Sequence, residues 1–186
     1  KCDYGKELDS LDLSQWDSRN IVSMNRMFYY QNLNALSDSN GEFTGLSNFS
    51  SKKLTDMAYL FWKCGMPKKI DLNHINVSKV TDMTEMFRNN WSGCCSAVPV
   101  SNGGSGVATQ IGISEWRPVN LKYASSMLRD WCEVPDLTKW ETPNLRSYIW
   151  NGYNPYYSTY ETEMRAKAPT SWKIEAGGSL VPHWFN

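Results

Sequence analysis

Five cysteines, two histidines and one glycine-rich run are the residues here whose types could do covalent or metal chemistry. Cys94 and Cys95 with His183 have the composition of a thiol–imidazole nucleophile pair, but such a pair needs a further orienting group, and no companion signature accompanies them. Gly103-Gly104-Ser105-Gly106 lacks the final glycine of a nucleophile elbow and does not follow a strand-like run. No G-x-x-x-x-G-K-[ST] phosphate loop occurs. Metal sites want paired C-x-x-C motifs or a histidine cluster; the chain has no C-x-x-C, and His74 stands alone inside a repeated segment. Asp38-Ser39-Asn40-Gly41-Glu42 hints at calcium without the loop spacing, and an Asn-Gly turn accounts for it better. These observations predict no enzyme, no cofactor and no metal.

The residues left with chemical reach are aromatic. Nine Trp, ten Tyr and six Phe make up 13% of the chain, and such rings give large contact area at low entropic cost. Trp62, Trp91 and Trp131, with Tyr153, Tyr156 and Tyr157, form the candidate binding surface. Tyr29 and Tyr30 fall at related places. Two readings stand for these rings. They cover the edges of a small core, or they present a contact surface to a protein or a sugar.

What positions them is a repeat. Met24 with Met27-Phe28, Met57 with Leu60-Phe61, and Met83 with Met86-Phe87 share one spacing; Ala124 with Met127-Leu128 and Tyr148 with Trp150-Asn151 are weaker copies. Three positions before each anchor lie Ile21, Leu54, Val80, Leu121 and Leu145. Eight before lie Trp16, Phe49, Ile75, Trp116 and Trp140, and eleven before lie Leu13, Leu46, Leu72, Ile113 and Leu137. A unit of roughly 24–26 residues cannot bury its own apolar face, so copies must stack. Extra residues fall near 33–45 and 89–110, both rich in Gly, Ser and Asn as exposed loops are. Within a unit, alternation around Ile70-Asp71-Leu72 predicts a short strand, Val80 a second one, and M-x-x-M-F one short helical turn. The expected architecture is an α/β repeat solenoid, leucine-rich-repeat-like, with short parallel strands and about five turns.

LDLSQWDSRNIVSMNRMF and IDLNHINVSKVTDMTEMF resemble the BspA-like leucine-rich repeats, a bacterial surface protein repeat of about 26 residues. The resemblance covers residues 8–152 and is strongest in the first three copies. Cys64 keeps the family's cysteine column; Gln31 and Asn90 replace it in neighbouring copies, and the Tyr148 copy has lost its Met-Phe pair. The resemblance implies a non-catalytic extracellular or cell-surface protein for adhesion or protein–protein interaction, and it carries over no functional residue. A structural subunit of a virion, appendage or surface layer, and a carbohydrate-binding module, are the alternatives.

Lys plus Arg equals Asp plus Glu at 19 each, so net charge gives no argument for nucleic acid or acidic membranes. No apolar run reaches a membrane span. Residues 1–7 (KCDYGKE) are too short and polar to cover the end of an array, which predicts an assembly partner or further sequence there. Cys2 is not first, which argues against a lipidated terminus. Residues 153–186 leave the repeat as a C-terminal cap or tail, with a helical piece expected near Thr159–Ala168 before Pro169. Disulfide pairing cannot be deduced from an odd cysteine count. Sequons at Asn48, Asn76 and Asn90 matter only in a glycosylating source.

Overall fold

The structure is a computed structural model that describes residues 11–13, 15–88, 110–128, 135–146, 166–174 and 180–182. Among these, the regular elements are four short strands. β1 (Lys69–Asp71) pairs in parallel with β2 (Gln110–Gly112), and β3 (Trp172–Ile174) pairs antiparallel with β4 (Leu180–Pro182). β1 arises where the sequence alternates: Ile70 is buried between exposed Lys69 and Asp71. Residues 166–167 are helical, inside the stretch Thr159–Ala168 where a helical piece is expected; residues 159–165 of that stretch lie outside the described residues.

Single parallel bridges carry the pairing between other copies. Ser23 bridges Asp56, Asp56 bridges Asp82, and Asp82 bridges Tyr123, each the residue just before an anchor. A second chain of bonds runs one position earlier: Thr55 N–H to Val22, Thr81 to Thr55, Lys122 to Thr81 and Arg146 to Lys122, all onto carbonyls. Five successive copies are thereby joined rung to rung.

M-x-x-M-F is not a helical turn in this structure. A helix would send each N–H to the carbonyl four residues back within the segment. Here alternate N–H groups leave the segment instead: Met24, Arg26, Phe28 and Tyr30 donate to the carbonyls of Asp56, Ala58, Leu60 and Trp62. Met57, Tyr59, Phe61 and Lys63 donate likewise to Asp82, Thr84, Met86 and Arg88. The N–H groups in between close turns within the copy, as Met27 does to Met24 and Tyr29 to Arg26. That alternation requires left-handed residues, and Arg26, Tyr30, Tyr59, Lys63, Glu85 and Ser126 have φ between 51° and 59°. None is glycine, and each non-glycine residue held there costs on the order of 1–2 kcal/mol. Ser126→Val, which adds β-branching at φ 55°, is expected to lower stability by about 2 kcal/mol, and Ser126→Gly to stay within about 1 kcal/mol of the parent. Thermal melts of the two variants check this.

The anchor-related columns form one core. Met24, Met57, Met83 and Ala124 are buried, as are Leu46, Leu72, Ile113 and Leu137 eleven positions earlier. Phe61 lies stacked between Phe28 (5.6 Å between centroids, 3° between planes) and Phe87 (5.5 Å, 10°). The tryptophans eight positions before the anchors have a polar reason as well. Trp116 Nε1 donates to the Leu72 carbonyl at 2.7 Å, and Trp140 Nε1 to the Ile113 carbonyl at 3.0 Å, each reaching back one copy. Trp172 continues the column edge-on to Trp140 and donates to Thr142 Oγ1 at 2.8 Å, while the Leu137 N–H donates to the Lys167 carbonyl.

One buried column has no apolar signature. Six positions before the anchors stand Ser18, Ser51, Val77, Pro118 and Thr142, all buried at a tight turn. Small size is the shared property there. Ser51 Oγ donates to the Ile21 carbonyl at 2.6 Å and accepts the Lys53 N–H, so the hydroxyl is satisfied without water.

Candidate binding surface

The anchor and the residues three and four on point toward the core, and in the first two copies the residues two, five and six on face outward. On adjacent copies these outward columns pair Arg26 with Tyr59, Tyr29 with Trp62, and Tyr30 with Lys63. The structure gathers them into one cluster. Tyr29 and Tyr30 meet edge to face at 4.4 Å; Trp62 lies 4.8 Å from Tyr29, 5.9 Å from Tyr30 and 5.8 Å from Tyr59. The Arg26 guanidinium sits 4.7 Å over the Tyr59 ring, and Lys63 Nζ sits 4.7 Å over Trp62 while donating to Tyr30 Oη at 2.7 Å. Each exposed cation–ring contact is worth about 0.5–1 kcal/mol.

Trp62 is half-buried, with Tyr29 and Lys63 against it. The cluster therefore offers phenol hydroxyls and cations outward more than an open indole face. Partial burial, with Tyr30 beside it, pushes the Tyr29 hydroxyl up from its ordinary value; Lys63 and Arg26 pull it back. Two buried donors on the same column, Trp62 Nε1 and Arg88 Nε of the next copy, have no hydrogen-bond partner among the described residues. The Arg88 Nη1 instead holds Glu85 Oε1 at 2.7 Å.

Of the candidate surface residues, the structure describes Trp62. Trp91, Trp131, Tyr153, Tyr156 and Tyr157 lie outside the described residues. Arg26, Tyr59 and Lys63 were not among the sequence candidates. Lys63 shares the column of Tyr30 once the anchors are aligned, so its signal is present in the sequence; Arg26 and Tyr59 share a column of their own two positions after the anchor, within the segment expected to form a helical turn.

The reactive candidates are placed as follows. Cys94, Cys95 and His183 lie outside the described residues, and His74 Nε2 meets the Leu46 carbonyl at 2.9 Å. Asp38 Oδ1 accepts the N–H groups of Asn40 and Glu42, and Gly41 has φ 77°, the geometry of a plain Asn-Gly turn. Among the described residues no three His, Cys, Asp or Glu side chains gather as metal ligands, and no helix is long and apolar enough to cross a membrane. Cys64 is a buried thiol that donates to the Phe28 carbonyl at 2.6 Å, and burial pushes it up to about 12. A thiol raised in the folded state contributes stability below its unfolded value of 9.0 that is lost as pH rises toward about 12. Iodoacetamide at pH 8 is expected to spare Cys64 in the native chain and to label it in urea, read by peptide mass mapping.

A family model described as "Mycoplasma protein of unknown function, DUF285" matches residues 4–92 and, in a second alignment, 31–151. The chain belongs to this family. The two matches share residues 31–92, as internal repetition allows. No curated protein and no solved structure matches this DUF285 chain.

Proposed function

We propose that this DUF285 protein is a non-enzymatic, leucine-rich-repeat-like solenoid of the BspA-like kind, working at a cell surface or outside the cell as an adhesion or protein-interaction module. The observation that carries the reading is the cluster of Tyr29, Tyr30, Tyr59 and Trp62 with Arg26, set on neighbouring rungs of a hydrogen-bonded ladder. Tyr, Trp and Arg dominate protein-binding hot spots. A ladder that fixes their backbones reduces the ordering cost of binding. Because the ring faces pack on one another, a protein partner suits the cluster better than a stacked sugar does.

The test is saturable binding of the labelled chain to intact cells, before and after treatment with protease or glycosidase. Binding abolished by protease, retained after glycosidase and weakened at least tenfold in Arg26→Ala/Tyr59→Ala supports the reading. Binding that the double variant leaves unchanged counts against the cluster.

A second reading, as a structural subunit of a larger assembly, is favoured by one edge. Among the described residues, the carbonyls of Ser23, Asn25, Met27 and Tyr29 accept no hydrogen bond, although their counterparts in the next two copies do. Beside them Leu13, Trp16, Ile21 and Met27 are only partly buried. Light scattering over a concentration series separates the readings: a discrete oligomer or progressive assembly favours the subunit, a stable monomer the adhesion module.

A further inference from the structure

At the tight turn and the strand start that follow the buried small column, positions five, four and two before the anchors form one edge of the stack. Across five copies these positions hold Arg19, Lys52, Lys53, Lys79, Lys122 and Arg146, and no acidic residue. All six are exposed. Arg19 is neutralised by Asp17 through two bonds of 2.8 Å. Among the described residues the other five are in no ion pair, and Lys53 Nζ reaches the Asn20 amide oxygen at 2.7 Å. The carboxylates nearest along the chain to Lys53 and Lys79 are engaged by other groups: Asp56 accepts from Ser23 and Asn25 of the preceding copy and from the Ala58 N–H, and Asp82 accepts the Thr84 N–H.

Rungs of a parallel ladder are about 4.8 Å apart, so the four copies that hold these five cations set them along an edge of roughly 14 Å. From this placement we infer that the edge formed by Lys52, Lys53, Lys79, Lys122 and Arg146 is a binding site for a linear acidic polysaccharide, separate from the aromatic cluster. The side chains between the cations favour sugar. Asn20, Asn120 and Asn144 line the same turn, and Thr55 and Thr81 present hydroxyls that donate to the preceding rung's carbonyl and keep lone pairs outward. Successive aromatic platforms, which a nucleic-acid strand needs for its bases, are missing among the described residues of this edge. So is the apolar wedge that would enter a bilayer.

The experiment uses the intact chain and polygalacturonate oligomers, with fully methyl-esterified oligomers as the uncharged control. Lys52→Gln/Lys53→Gln/Lys79→Gln and Lys122→Gln/Arg146→Gln remove the two halves of the edge, and Lys68→Gln removes an exposed cation elsewhere. All are surface changes expected to leave the melting temperature unchanged. The expected result is binding to the acidic oligomers only, weakened by added salt, falling at least tenfold in each edge variant and unchanged in Lys68→Gln. No binding to polygalacturonate would overturn the inference, as would equal loss in Lys68→Gln. Tighter binding to an oligothymidine or to phosphatidylserine vesicles than to polygalacturonate would overturn it in favour of those partners.

Discussion

Replacing Phe61 with alanine is expected to lower the unfolding free energy by about 4 kcal/mol, among the largest single losses available in this chain. Phe61 is fully buried, and both faces of its ring are covered by the phenylalanines of the neighbouring copies. Truncation removes the transfer energy of the ring and leaves a cavity in the middle of a stack. Collapse is obstructed because the backbones on either side are pinned: the Phe61 N–H to the Met86 carbonyl, and the Phe28 N–H to the Leu60 carbonyl. Phe61→Leu keeps most of the volume and should cost less than half as much. The measurement is urea unfolding followed by circular dichroism. A lower midpoint with an unchanged slope would mean lost native stability rather than an altered denatured state. A loss under about 1 kcal/mol would contradict the continuous stack.

Trp116→Ala is expected to cost a similar amount, roughly 3–5 kcal/mol, and Trp116→Phe divides that loss into parts. The phenylalanine variant keeps a ring against Trp140, now 5.8 Å from Trp116, but loses the donor to the Leu72 carbonyl. That carbonyl still accepts the Ile75 N–H, so it is not stranded. The cost of Trp116→Phe should therefore be near the net value of one hydrogen bond plus a small void, about 1–2 kcal/mol. Trp16 provides the internal control. It occupies the same column but is only partly buried and tilted 6.0 Å from Phe49, and Trp16→Phe should change stability by less than about 1 kcal/mol. Circular dichroism is the probe for these variants too, since the substitutions remove the fluorophore itself.

The buried columns were legible because burial selects for apolarity at a fixed distance from the anchor. Leu54, Val80, Leu121 and Leu145 could be read without coordinates, and each is buried. The column of Ser18, Ser51, Val77, Pro118 and Thr142 escaped notice because a tight turn selects for small size, which hydropathy does not register. The M-x-x-M-F segment reads in sequence as a helical turn for a related reason. Inward residues at three and four positions on are the spacing of a helix face, and they are equally the spacing of a chain that reverses its handedness at the second residue. Side-chain pattern alone does not separate the two; the destination of the N–H groups does, and that lies in another copy.

Sequence by itself determined the anchors, the columns they imply and the strand at Ile70, because each follows from which residues must leave water. Tertiary structure decided two further matters. The first was which outward columns meet, bringing Arg26, Tyr59 and Lys63 to Tyr29, Tyr30 and Trp62 from copies 33 residues apart in several of their contacts. The second was how charge is distributed: a chain with equal numbers of acids and bases collects on one edge five cations that are in no ion pair among the described residues. Net charge is a sum over the chain, and it keeps no record of position. Stacking assigns each residue a column, and columns place like charges about 4.8 Å apart that the sequence holds dozens of residues away from one another.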